Sequence, residues 1–472
     1  MMNRMKQRPS TAMDQLEVRR HPVLDPGFVP AVAWNRLYRQ VVAETEGARQ
    51  VEMALVRPDG TAFRWASAML PDHPEFADLN LRFLERTLKF LLWQKGGSRV
   101  WIAGAPELAA KLSGIYSAKG ARAFDWDFIG RKIFGEGITV TAVPAAELPD
   151  GSDEAMALGR HLDGCRIGFD LGGSDRKCAA VIDGEVVFSE EIVWDPYFQD
   201  DPTYHLEGIH DSLRRAAAHL PRVDAIGGSA AGVYVNNEVR AASLFRGVSE
   251  ADFERHVRGI FGALRERWNG VPFEVVNDGE VTALAGSMAL GDNAVLGVAM
   301  GTSEAAGYVD GSGHIRPWLN ELAFAPVDYR RGGPVDEWSG DEGCGVQFFS
   351  QQAVARLAPV AGFELGGLPF PEQLVKVQES MKAGDERARR IYETLGTCFG
   401  YAVAHYADFY ELRNLLILGR VTSGEGGSVL IEEAERVLAS EFPERSVRLV
   451  VPDEKTKRHG QAVAAASLAS TR

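Results

Sequence analysis

The chain has 472 residues, with 51 basic against 65 acidic side chains, a net charge of −14 with histidine neutral, 45% apolar residues and 25% charged ones. At roughly 100–200 residues per domain this suits two to four globular domains, and it excludes disorder, collagen and a coiled coil. With no clustered run of lysine and arginine a nucleic-acid face is excluded, and with a polar start at residues 1–10 and no apolar run near the roughly 18 residues of a membrane helix, we expect a cytoplasmic protein and no membrane partner.

Glycines at the ends of short β-branched runs punctuate an α/β chain. First come a strand pair at 51–68 around Asp59-Gly60, a helix at 79–94, and strands at 99–104 and 138–143. From Gly164 the order is strand 166–171, a Gly-Gly turn, strand 177–182, the Asp183-Gly184 hairpin turn and strand 185–192. Helix 205–219, strand 223–227, helix 250–268, strand 273–276 and helix 280–290 complete this lobe. A second lobe has strand 294–300, a Gly-Thr-Ser turn, a strand near 305–309, a long irregular insertion and helices between 348 and 410. It closes with strand 414–419, a glycine-rich turn at 423–427, helix 429–442, strand 447–451 and a helix from Gly460. Glycine turns that face each other across two lobes imply a cleft, and the chain divides as 1–160, 161–291 and 292–472.

The first span echoes the second. Gly60 to Gly104 covers 44 residues and Gly184 to Gly227 covers 43; Ile133-Phe134-Gly135 and Ile260-Phe261-Gly262 each precede a strand, and Met156-Ala157-Leu158-Gly159 matches Met288-Ala289-Leu290-Gly291. Residues 50–160 read either as a degenerate copy of the lobe at 166–291 or as an unrelated α/β segment, and a copy must keep the strand order. Such a copy lacks the glycine turn and has Pro144-Ala145 where the lobe has Asn277-Asp278, so its role would be structural or regulatory.

Four groups of residues carry chemistry. In Asp170-Leu171-Gly172-Gly173-Ser174-Asp175-Arg176-Lys177, glycine N–H groups can cradle phosphate oxygens and Ser174 can add a hydrogen bond. Lys177 can bring positive charge to the transferred group, and Asp170 can hold Mg²⁺ directly or through water. The alternative is an ordinary Gly-Gly hairpin. Gly301-Thr302-Ser303 repeats the strand, glycine, hydroxyl arrangement, so that a polyphosphate would be gripped from both lobes. Gly419, Gly424, Gly426 and Gly427 open a helix onto a nucleotide or form a plain loop. Asn277-Asp278 ends an apolar strand, where a carboxylate can accept a hydroxyl proton during phosphoryl transfer or simply cap a helix.

Together these motifs resemble the ROK family of bacterial sugar kinases and sugar-responsive regulators over about residues 164–470. The resemblance implies an α/β architecture with two ribonuclease-H-like lobes, the actin-like, hexokinase-like ATPase fold, preceded here by an additional α/β domain. It implies ATP and Mg²⁺ as cofactors, a sugar or sugar-like polyol as partner, and a homodimer. Gly172, Gly173, Ser174 and Lys177 with Gly301 and Thr302 would bind phosphates, Asp170 the metal, and Gly419, Arg420 and Gly424 adenosine. Gly228 and Ser229, in Gly227-Gly228-Ser229-Ala230-Ala231-Gly232, would lie on the sugar side; Asn277 would bind the sugar and Asp278 would be the base. His459-Gly460-Gln461-Ala462 is similar to the start of the family's last helix.

Three departures stand out. The E-x-G-H motif reads Glu321-Leu322-Ala323-Phe324, keeping the sugar-chelating carboxylate and losing the glycine and histidine. In Gly343-Cys344-Gly345-Val346 only one cysteine of the zinc loop remains and a sugar-contacting glutamate is replaced, so we expect no zinc. Arg420 and Val421 stand where glycines are usual. The four cysteines form no C-x-x-C pair and the histidines no ligand spacing, so buried reduced thiols are expected. Trp194, Tyr197 and Phe198 read as a core plug in preference to a sugar platform, and Asp328-Tyr329-Arg330-Arg331 with Asp336-Glu337 as a solvated loop. The leading function is a sugar kinase. A non-catalytic sugar or nucleotide sensor is the rival, and a DNA-binding repressor would require a winged helix at an amino terminus that is neither basic nor patterned for one.

Overall fold

The computed structural model describes residue Met13 and residues 16–152, 158–452 and 454–471. Residues 1–10 and the Met156-Ala157 part of the echo lie outside them.

Strands β1 (Arg49–Val56), β2 (Ala62–Met69), β3 (Arg99–Ala103) and β4 (Thr139–Ala142) form an amino-terminal sheet in the order β2-β1-β3-β4. Helices α1 (Ala31–Glu44), α2 (Ala77–Lys95) and α3 (Pro106–Ile115) pack with it. The next lobe holds β5 (Cys165–Leu171), β6 (Asp175–Ile182), β7 (Glu185–Val193), β8 (Ala225–Ala230) and β11 (Phe273–Asn277) in the order β11-β8-β5-β6-β7. Its helices are α4 (Pro202–Ala217) and α5 (Ile260–Arg267), and the hairpin β9 (Val233–Val235) and β10 (Glu238–Ala241) stands beside it. Helix α6 (Asp278–Leu290) leads into the last lobe, where β12 (Val295–Met300), β13 (Glu304–Val309), β14 (Asn414–Leu418) and β15 (Arg448–Val450) run in the order β13-β12-β14-β15. Around that sheet lie α7 (Gln351–Ala361), α8 (Phe370–Lys382), α9 (Glu386–Tyr406) and α10 (Glu425–Glu441), and α11 (Glu454–Ala466) returns to the middle lobe.

Two lobes, each a sheet with helices, are thus joined by α6 and α11, which pack on each other. Glycines let α11 lie directly on the sheet: a Cβ at Gly168 or at Gly227 would collide with the carbonyl of Ala462 or Ala465. Helix α6 sits as closely on β13, where Gly307 faces the carbonyl of Gly279.

Removing β5 from the middle sheet leaves β11-β8-β6-β7, the order of the amino-terminal sheet written β4-β3-β1-β2. The senses agree too, since β1 and β2 are antiparallel like β6 and β7, and β3 and β4 parallel like β8 and β11. Strand β1 pairs directly with β3, closing the place that β5 occupies.

Most expected elements appear within a few residues of their reading. The exceptions have local causes. The helix read over 250–268 is divided into Glu250–Asp252, a π-turn at Phe253–Val257, and α5 from Ile260. Here the Arg258 carbonyl accepts a hydrogen bond from Val239 N–H, 3.0 Å away on β10, and leaves the helical ladder. The strand read at 223–227 lies at Ala225–Ala230, so Gly228 and Ser229 are strand interior and not loop. A Cβ at Gly228 would collide with the Phe169 ring, which explains glycine at that position by packing alone. The run read as a solvated loop is half buried, with Asp328 at 0%, Tyr329 at 1% and Asp336 at 3% exposure, while Arg331 and Glu337 are exposed. Asp328 Oδ1 accepts from Val29 N–H at 3.0 Å and from Arg330 N–H at 2.8 Å, so this acid closes a backbone turn and binds the chain leading into α1.

Candidate functional site

Strand β5 ends at Asp170 and Leu171 and turns tightly into β6. Gly172 N–H donates to Asp175 O at 2.9 Å and closes the turn, while Trp194 Nε1 donates to Gly172 O at 2.8 Å from the far side. Trp194 is therefore the expected core plug, 7% exposed, and it fixes the turn. The Tyr197 hydroxyl covers Gly173, where a Cβ would collide with it, and Ser174 Oγ donates to Asp175 Oδ2 at 3.0 Å. Across the sheet Asp170 faces Ser229 on β8 and Lys177 on β6. Lys177 Nζ lies 3.5 Å from Asp170 Oδ2 and 3.1 Å from Asp175 Oδ1. Burial disfavours its charge, but these two carboxylates outweigh burial and raise its pKa. Asp170, Lys177 and Ser229 line one cavity of about 360 Å³, with Gln461 and Ala462 of α11 on its other wall.

The base of the cleft is the start of α6. Asn277 caps the helix: its Oδ1 accepts from Gly279 N–H at 2.7 Å and its Nδ2 donates to Gly232 O at 2.7 Å. Asn277 thus takes the capping role, and Asp278, the first helical residue, keeps its carboxyl in the cleft with one bond at 3.0 Å from Gly279 N–H. Desolvation by the surrounding protein raises the Asp278 pKa, and the Asp170 carboxylate raises it further. Glu321 lies near enough to feel Asp278, and burial followed by that neighbour pushes its pKa up to about 7.

Two acids that the sequence reading passed over join them. Glu280 on α6 accepts from Asn320 Nδ2 at 3.2 Å, and Asn320 Oδ1 accepts from the Tyr410 hydroxyl at 2.9 Å. Glu304, first residue of β13, accepts from the Tyr406 hydroxyl at 3.1 Å. Burial, opposed by those hydrogen bonds and reinforced by Glu321, pushes each to about 8. The signal for both was a charged residue in an otherwise apolar element, DGEVTALAGSMAL for α6 and EAAGYV for β13.

On the opposite lobe Thr302 is exposed at the tip of its turn, and Gly301 O accepts from Gln351 N–H at 2.9 Å, which ties the turn to α7. Gly419, at φ +99°, approaches the Met300 backbone so closely that a Cβ would collide with it, bringing the two glycine turns side by side. Arg420 is exposed, its carbonyl accepting from Gln378 Nε2 at 2.7 Å, and Gly424 at φ +73° caps α10. Gly426 and Gly427 are packing glycines, against the Tyr392 ring and the Thr422 carbonyl.

No protein-family model and no curated protein matches the sequence. Solved structures do. The chain is similar to the ROK hexokinase of Thermus thermophilus, at a TM-score of 0.50 and 20% identity over 64% of this chain and 97% of that one. It is also similar to a ROK family transcriptional regulator described as a homologue of the E. coli MLC protein, at a TM-score of 0.52 and 19% identity over 65% of this chain and 78% of the other. At these identities the likeness shows the fold, which is the two-lobed fold of those proteins.

Proposed function

We propose, from the ROK-type fold of this chain, that it is an ATP- and Mg²⁺-dependent kinase acting on a hydroxyl of a sugar or sugar-like polyol, with Asp278 as general base. The observation that carries the reading is the Asp278 carboxyl itself, at the start of α6 and without an ion pair among the described residues, where the Asp170 carboxylate acts on it and it acts in turn on Glu321. A carboxylate with a raised pKa is a stronger base than an ordinary one, and an acceptor hydroxyl held by Glu321 and by the amide hydrogen that Asn277 Nδ2 keeps beyond its bond to Gly232 would pass its proton to Asp278 as its oxygen attacks phosphorus. Asp170, 30% exposed and facing the same space, offers the hard oxygen that Mg²⁺ takes together with phosphate and water oxygens, and bound there the ion would neutralise developing phosphate charge. Lys177 keeps Asp170 oriented. Thr302, Gly301, Gly419 and Gly424 would meet the nucleotide from the other lobe, and closing the lobes would exclude water that otherwise consumes ATP.

The strand order shared by the amino-terminal sheet and the middle lobe supports reading residues 50–160 as a degenerate copy that lost the strand and turn for phosphate. A sensor without turnover is favoured by one observation, that Gly172 N–H is already used inside its hairpin and so is withdrawn from phosphate.

ADP release from ATP-Mg²⁺ over a panel of sugars, amino sugars and polyols tests the reading. Asp278→Asn should lower turnover by about 10²–10⁴-fold with ATP binding retained. A panel without any turnover, in a protein that still binds a sugar or nucleotide by thermal shift, would establish the sensor instead.

A further inference from the structure

Where the family resemblance puts a zinc loop and a histidine, this chain has Cys344 and Phe324, and the structure fills both places from the amino-terminal layer. The Cys344 thiol is buried and pushed up to about 12 by that burial, with the Lys89 ammonium among the charges acting on it. A neutral thiol beside a buried cation does not fit zinc, which needs thiolate and no competing positive charge.

Lys89 lies on α2 with its side chain 0% exposed. It donates to Asp125 at 3.1 and 2.8 Å and also to Asp341. Asp341 pairs in addition with Arg122, whose Nε is 2.7 Å from Glu85 Oε1, again on α2. Two more ties reach the same region. The last-turn carbonyls of α2 have no partners inside the helix, and they accept from Leu319 and Asn320 N–H on Gln94 O at 3.0 and 3.1 Å, and from Glu321 N–H on Trp93 O at 3.0 Å. Phe324 packs at a tilt among Trp93, Phe124 and Trp338 at centroid distances of 4.4, 5.5 and 5.4 Å.

We infer that α2 is the element that positions Glu321, and that Lys89 is a positioning residue acting through Asp341. The strap from Leu319 to Cys344 cannot leave α2 without taking the Asp341 carboxylate away from both Lys89 and Arg122, which leaves Lys89 with Asp125 alone and Arg122 with Glu85 alone. Its hydrogen bonds and its aromatic anchor are lost in the same motion. The consequence for catalysis rests on reading Glu321 as an acceptor contact; the positioning does not.

Hydrogen–deuterium exchange on the full-length protein reads the strap without any substrate. In Lys89→Met the amides of Leu319, Asn320 and Glu321 should exchange at least about tenfold faster, while those of β12 stay as in the parent. Asp341→Asn, which leaves the Lys89–Asp125 pair, should do the same and serves if Lys89→Met does not fold. Lys89→Arg should restore part of the protection, and Leu112→Ala, a buried change on α3 in the same core but outside the ion-pair cluster, should lower the melting temperature and leave these amides alone. Unchanged strap amides in Asp341→Asn, or equal acceleration in Leu112→Ala, would overturn the inference. These outcomes are independent of whether the panel of sugars yields turnover.

Discussion

At the scale of single residues, the protein's buried acids divide by the partners they find. Asp25, held by Arg330 and Arg356, and Asp408, held by Arg39 and Arg445, stay charged despite burial, and their pKa values lie below the ordinary range. Among the described residues Glu280 and Glu304 have only neutral donors, Asn320 and Tyr406, and burial raises their pKa values to about 8. Between the ordinary value of 4.5 and about 8 the folded protein keeps protons that the unfolded chain releases, so stability falls as pH rises through that window, by about 1.4 kcal/mol per pH unit for each group. Glu304→Gln keeps an acceptor for the Tyr406 hydroxyl and removes the titration. Its melting temperature should drop less than that of the parent between pH 6 and pH 9, and an identical drop would contradict the assignment.

At the scale of elements, glycine at crossing points decides how closely helices and strands approach. Gly228→Ala would drive a methyl group into the Phe169 ring, in a sheet whose other face is covered by α11, and the overpacking should cost about 1–3 kcal/mol in urea denaturation. A larger loss of sugar affinity than of stability would instead restore the direct sugar-side role read from the sequence. Asn277 shows the converse case. Its motif was legible, and so was the possibility of a cap, but only the hydrogen bonds to Gly279 and Gly232 divide the pair into a cap and a free carboxyl.

At the scale of the whole molecule, the amino-terminal layer shares its cores with the rest. Leu24, Phe28, Val32 and Phe90 join the core of the last lobe, while Leu319, Ala323, Phe324, Tyr329, Cys344 and Val346 belong to the core built on α1 to α3. A chain beginning at residue 160 would expose both apolar faces and strand Asp341 without Lys89. We expect it to be insoluble or unfolded, as judged by circular dichroism and size-exclusion chromatography; a stable, folded fragment would show the cores to be separable. In the full chain, Lys89→Met leaves Asp125 with its cation removed, and calorimetry should find a loss of about 3–5 kcal/mol.

The sequence by itself determined the order of elements from Gly164 onward, the glycine turns, and the positions of Asp170, Asp278 and Glu321, because periodicity, turn chemistry and short motifs act over a few residues. For residues 50–160 the spacing of Asp59-Gly60 and Gly104 left two readings open, a copy of the middle lobe or an unrelated segment, and the strand order came only with the structure. Only the tertiary structure decided which charges meet. Lys89, Asp125 and Asp341 are separated by 36 and 252 residues along the chain in their two pairings, and no local pattern marks one ammonium in the amphipathic helix ADLNLRFLERTLKFLLWQK as the counter-ion of a distant strap. The buried acids Glu280 and Glu304 and the packing role of Gly228 were hidden for the same reason: burial and pairing are properties of neighbours in space, and the free energy of a charge is set by those neighbours.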